Sequence, residues 1–113
     1  MYRYKVTKSF ELNAAHRLDL NYESKCKELH GHRWIIEVTL ESDSLDENGM
    51  VMDFSRVKSK VKDMLDHRTM NDVLDFNPTA ENLARWILDM FPLAISASVQ
   101  ESPGNLAVCY KIE

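Results

Sequence analysis

The sequence holds little that could crosslink it or carry it through a membrane. Its two cysteines stand far apart, at positions 26 and 109. The opening residues MYRYKVTKSF alternate in character instead of showing the charged flank and apolar stretch of a signal peptide. Together these features point to reduced thiols in a cytoplasm, not to a disulfide framework. No apolar run exceeds a few residues, so no segment can span a bilayer as a helix. Excess positive charge is missing too. The formal charge is −4 and the basic residues are scattered, which argues against nucleic acid as a partner. An anionic ligand needs a local positive pocket here, since the overall field does not attract it. Repeats, low-complexity tracts and linkers are also lacking. The 113 residues therefore read as a single soluble domain, 1–113, with an ordinary 44% apolar content.

What is present is strong alternation at both ends. Tyr2, Tyr4, Val6, Phe10, Leu12, Ala14 and His16 take one parity, broken only by Lys8, with polar residues on the other. This is the period of a strand with one buried face. Its length predicts a bulge or bend within it. His30, His32, Trp34, Ile36, Val38 and Leu40 repeat the pattern. The stretch SDSLDENG at 42–49 is a loop by composition. Asp53 is placed to cap a helix running to about Leu65, with Phe54, Val57, Val61, Met64 and Leu65 as its apolar stripe. A polar linker follows. Pro78 and Thr79 then open a second helix with Leu83, Trp86, Ile87 and Met90 inward, stopped by Pro92. The tail predicts a hairpin. Ile95, Ala97, Val99 and Glu101 share one face, Pro103-Gly104 turns, and Leu106, Val108, Tyr110 and Ile112 alternate on the return. The expected fold is α+β, a four-stranded antiparallel sheet with two helices on one face in the order ββααββ.

The chemistry concentrates at CKELHGH, residues 26–32. Side chains two apart on a strand share a face, so His30 and His32 point the same way, onto the buried parity. His16 ends the buried parity of the neighbouring strand and can come within cross-strand reach of both. A lone histidine on an apolar face is ordinarily a core residue satisfied by one hydrogen bond. Three together would leave several nitrogens unpaired, at about 1–3 kcal/mol each. A metal removes that cost. Zinc is the first expectation, because all three ligands are nitrogen and no carboxylate is evident at the right parity.

Other residues admit two readings. Cys26 is either a small buried hydrophobe or, between Lys25 and Lys27 and near a cation, a thiolate able to act as a general base. Cys109 reads as structural. His67 beside Asp66 is either a helix-end histidine or one tuned by its neighbouring carboxylate. Glu101 is directed at the interior. It would be satisfied by a flat heterocycle with two parallel N–H donors, such as the amidine edge of a pterin, or else lies in water at a fraying strand end. A non-catalytic zinc or pterin-binding module is the alternative to an enzyme. A closed structural site normally takes four protein ligands, and Cys26 is the available fourth.

AAHRL at 14–18, CKELHGH at 26–32, LDH at 65–67, PTAEN at 78–82 and VQES at 99–102 occur in that order. Together they resemble the 6-pyruvoyltetrahydropterin synthase and 6-carboxytetrahydropterin synthase family over essentially the whole chain. The resemblance implies the tunnelling fold, with sheets joined into a barrel in a homohexamer of two trimers and sites between subunits. It implies His16, His30 and His32 as zinc ligands, Cys26 as general base, and Asp66 with His67 as a proton relay. Glu101 and Thr79 are implied to hold the pterin. The implied substrate is 7,8-dihydroneopterin triphosphate. The three-residue gap between Cys26 and HGH fits the 6-carboxy branch of queuosine and deazapurine biosynthesis, which releases acetaldehyde and triphosphate. Glu28 within that gap resembles a variant group that cleaves the side chain toward folate. Pyruvoyl formation is the sister outcome.

Overall fold

The structure, a computed structural model, describes residues 1–112. Strands β1 (Tyr4–His16) and β2 (His30–Ser42) flank a single 3-10 turn at Lys25–Lys27. Helices α1 (Phe54–Leu65), α2 (Met70–Val73) and α3 (Ala80–Met90) follow, and then strands β3 (Ala94–Ser102) and β4 (Asn105–Tyr110). The strands form one antiparallel sheet in the order β1-β2-β3-β4. The expected α+β framework is present, with one helix more than expected. Helix α2 is a single turn inside the polar linker, and only Met70 of it is buried. One turn is too short to show a 3.6-residue period, which is why the residues read as linker.

Of the bulge or bend expected in the first strand, the bulge is absent. β1 and β2 pair without a slip from Tyr4↔Ser42 to His16↔His30. The strand stays regular because only its second half needs cover. Phe10, Leu12, Ala14 and His16 are buried, whereas Tyr4 is exposed and Val6 and Lys8 are half-buried. Lys8 therefore interrupts the apolar series where its ammonium can still reach water. The irregularities lie in β3 instead. Thr39 pairs with Ser96 and Leu40 with Ala94, which leaves Ile95 extra. Gln100 pairs with Leu106 and Ser102 with Asn105, which leaves Glu101 without a partner on β4. The first bulge moves Ala94, not Ile95, onto the buried face with Ala97 and Val99.

One face of the sheet carries the core, and the helices close it. Asp53 caps α1 by accepting the Ser55 amide at 2.9 Å. The buried stripe of α1 is Val57, Val61 and Leu65, while Phe54 and Met64 face solvent. On α3 the buried positions are Leu83, Ala84, Ile87 and Leu88, with Trp86 and Met90 only half-buried at the margin. These corrections share one cause. Each helix meets the sheet through a narrow stripe, so Phe54 and Met64 fall outside it and Trp86 and Met90 pack only against its edge. On β4, Leu106, Val108 and Tyr110 project from the face opposite the helices and are exposed, whereas Cys109 packs against the core. Gly104 turns the hairpin with φ of 87°, a conformation that favours glycine.

Among the described residues, no helix is long and apolar enough to cross a membrane. Leu12 has no solvent exposure and lies at the centre of the core. Leu12→Ala is expected to cost about 2–5 kcal/mol, read from urea denaturation.

Candidate metal centre

The unbroken β1–β2 ladder sets the site. His16 and His30 face each other across it, and His32 faces Ala14. The ring centroids are 4.6 Å apart for His16–His30, 4.9 Å for His30–His32 and 5.4 Å for His16–His32. Trp34, the next residue of that face, forms the floor. Its ring meets His16 and His32 edge-on at 4.8 and 5.4 Å, and its indole N–H donates to the Ala14 carbonyl at 3.0 Å.

Backbone carbonyls decide which ring nitrogens are free. His16 Nδ1 lies 2.8 Å from the Pro78 carbonyl, and His30 Nδ1 lies 2.7 Å from that of Glu28. A carbonyl only accepts, so each Nδ1 carries its proton and each neutral ring offers Nε2 as a lone pair. Nε2 of His16 and Nε2 of His32 are buried with no hydrogen-bond partner. Burial is the main reason that the His16 imidazole titrates below its usual 6.5, with the Pro78 carbonyl acting in the opposite direction. A ring kept neutral in this way is ready to bind a cation.

The fourth member is Glu101. Its carboxylate oxygens lie 3.2 Å from His32 Nε2 and 4.0 Å from His16 Nε2. One ligand atom from each of His16, His30, His32 and Glu101 falls within 4.8 Å of the others. The expectation that no carboxylate stands at the right parity is thus corrected, because Glu101 keeps the inward parity of Ala97 and Val99 and reaches the histidine cluster. Two unpartnered ring nitrogens beside a carboxylate form a donor set that suits a divalent cation. The group fits a metal.

The remaining candidates lie elsewhere in the chain. Cys26 sits at the middle of the 3-10 turn, half-buried, where Ser24 accepts its amide hydrogen bond at 3.1 Å. Its thiol is outside the histidine–glutamate group. Asp66 ends α1, and its carboxylate accepts the Asn13 amide at 2.9 Å, a bond that holds its carboxyl below the usual 3.8. His67 projects into solvent, with Nε2 3.6 Å from Asp66 Oδ2. Its backbone has φ of 59°, a left-handed conformation in which glycine is cheaper. Hydrogen bonds from His67 N–H to the Asn13 carbonyl and from Ala15 N–H to the Arg68 carbonyl fasten this segment to the edge of β1. Thr79 caps α3 through its hydroxyl, which accepts the Asn82 amide at 3.1 Å, and so secures the turn whose Pro78 carbonyl holds His16. Glu28 contributes its carbonyl, while its exposed side chain does not enter the cluster. Sequence reasoning missed the Glu28 and Pro78 carbonyls, because backbone acceptors leave no residue-type signal. The helix start at Pro78-Thr79 was the available clue.

An antiparallel sheet with one helical face and a histidine cluster at its strand ends, anchored on buried His16, defines an α+β domain with a group that could hold a metal ion. The chain belongs to the 6-pyruvoyl tetrahydropterin synthase family, whose model matches residues 5–111. It is 44% identical over 91 residues to the Synechocystis protein named 6-carboxy-5,6,7,8-tetrahydropterin synthase, covering 73% of this chain and 70% of that one. A Bacillus subtilis protein of the same name is 28% identical over 124 residues, covering 95% and 85%. Among solved structures, Caenorhabditis elegans 6-pyruvoyl tetrahydropterin synthase superposes with a TM-score of 0.79 at 25% identity, over 98% of this chain and 97% of that one.

Because folded His16 titrates below the unfolded chain's 6.5, the unfolded state holds more protons between the two values. The metal-free protein should therefore lose stability as pH falls below 6.5 and hold steady above it. Urea midpoints followed from about pH 8 to about pH 5 check the sign.

Proposed function

We propose that this protein is a zinc-dependent lyase that converts 7,8-dihydroneopterin triphosphate to 6-carboxytetrahydropterin, acetaldehyde and triphosphate. The family and the relatives named 6-carboxy-5,6,7,8-tetrahydropterin synthase support the reaction. The observation that carries it is the pair of buried, unpartnered Nε2 atoms on His16 and His32. They demand a cation, and a site rich in imidazole suits zinc. When bound, the metal supplies Lewis-acid polarisation of the substrate's side-chain hydroxyls, which makes the adjoining carbon-bound protons more acidic.

The chain's own residues do the rest. The Pro78 and Glu28 carbonyls keep His16 and His30 in the tautomer that binds through Nε2. Cys26 takes a proton from the substrate side chain as general base. Asp66 and His67 form the relay that returns it. In this reading the relay reaches the thiol from a neighbouring subunit of a homohexamer, consistent with a single chain that holds Asp66, His67 and Cys26 outside its histidine cluster. The unusual backbone of exposed His67 supports a role beyond stability. Glu101 and Thr79 hold the pterin ring. The reaction is placed in queuosine and deazapurine biosynthesis in the cytoplasm, where two unpaired thiols are at home.

Incubation of the zinc-loaded protein with 7,8-dihydroneopterin triphosphate should release acetaldehyde. A pyruvoyl product would move the chain to the sister reaction, and absence of turnover would reject both. Cys26→Ala should lower kcat by roughly 10²–10⁴-fold with zinc content unchanged. His67→Gly should abolish most turnover while leaving the melting temperature equal or higher, because the left-handed backbone is relieved. A drop in melting temperature would make His67 merely structural.

A further inference from the structure

We propose that Glu101 is an exchangeable metal ligand: its carboxylate closes the metal site before substrate arrives and leaves the metal when the pterin side chain binds. Three observations converge on this residue. Glu101 is the unpaired residue of a bulge between β3 and β4, which frees its backbone from the ladder. Its side chain is 24% exposed, yet among the described residues no hydrogen-bond donor is directed at its carboxylate. Its nearest polar neighbours are His32 Nε2 at 3.2 Å and His16 Nε2 at 4.0 Å. His16 Nε2 is a lone pair, because Nδ1 holds that ring's proton against the Pro78 carbonyl.

A carboxylate facing a lone pair is repulsive unless something positive stands between them. Arg33 and Lys27 do not supply it, since Arg33 turns outward to Glu11 and Lys27 to Glu23. A divalent cation held by three imidazoles and one carboxylate resolves the conflict and completes a four-ligand shell. Such a shell leaves no open position, so a reactive site needs one ligand that can depart. The imidazoles of His16 and His30 are tied from behind by backbone carbonyls, and such support holds a ligand in place. His32 lacks such a tie but is packed edge-on against the rings of His16, His30 and Trp34; Glu101 has neither support, so it is the ligand that leaves. The released carboxylate is then free for the N–H edge of the pterin. This second half rests on the pterin reading above, whereas the ligand assignment stands on the geometry alone.

The test uses the full-length protein with zinc as the probe. Zinc affinity of Glu101→Gln, measured by competition with a chromogenic chelator, should fall roughly tenfold or more. The metal-free variant should melt with or above the wild type, since the carboxylate accepts no hydrogen bond from this chain and its charge faces the His16 lone pair. In protein carrying ¹³C-labelled glutamate, adding zinc should shift a carboxylate infrared band that is missing from Glu101→Gln. Adding 7,8-dihydroneopterin should return the band to its free position. Unchanged zinc affinity together with an unshifted band would overturn the ligand assignment. A band that stays shifted when dihydroneopterin binds would overturn the exchange. If Glu101→Gln does not fold, Glu101→Ala takes its place in both measurements. A zinc-shifted band in a protein that turns over no pterin triphosphate supports the ligand assignment while rejecting the proposed reaction.

Discussion

One hydrogen bond, from His16 Nδ1 to the carbonyl of Pro78, sets the terms for the rest of the site. It crosses 62 residues of sequence, tying the end of β1 to the start of α3. It also fixes which nitrogen of a fully buried ring is left bare. Without it the ring could turn its N–H toward Glu101 and satisfy itself internally, and the pocket would have no need of a cation. Thr79 serves the same end one step removed, because its cap on α3 holds the carbonyl in position. Helix initiation and metal chemistry are thus one piece of backbone geometry. A helix start is a stable place to put a carbonyl, since the cap fixes its direction.

The two bulges of β3 extend this logic. A strand in strict alternation would place Ile95, Ala97, Val99 and Glu101 alike on the core face. The first bulge removes Ile95 from that face, and the second frees Glu101 from β4. The sheet thereby keeps its apolar core intact while delivering one carboxylate to its end. The imidazoles sit against an indole, not open water, so charge interactions among them are screened less than at the surface.

How much of this was legible in the residues depends on which kind of signal each feature leaves. The strands and their buried parity were legible because a period of two survives over thirteen residues. The co-facial placement of His16, His30 and His32 followed from that same period. The inward direction of Glu101 was legible, but its partner was not, since a bulge is a choice of register that no single residue announces. Helix α2 was hidden by its length. The stripes of α1 and α3 were read too wide, because Phe54 and Met64 are as apolar as Val57 and only packing separates them. Cys26, Asp66 and His67 were recognisable by order and spacing, yet they stand outside the histidine–glutamate group, with His67 lining a cavity that His32 also lines.

The uninterrupted pairing of β1 with β2 carries a consequence for how such a chain can vary in length. His16 and His30 meet because every residue pair from Tyr4↔Ser42 onward keeps step. One residue inserted or deleted within either strand, between the turn side and the far end, would flip the histidines to the opposite face of the sheet. The loop at 43–52 lies beyond the ladder and imposes no such rule. Variation in length should therefore accumulate in that loop and in the segment around the 3-10 turn, while the two strands behave as a ruler whose graduations are read at the metal.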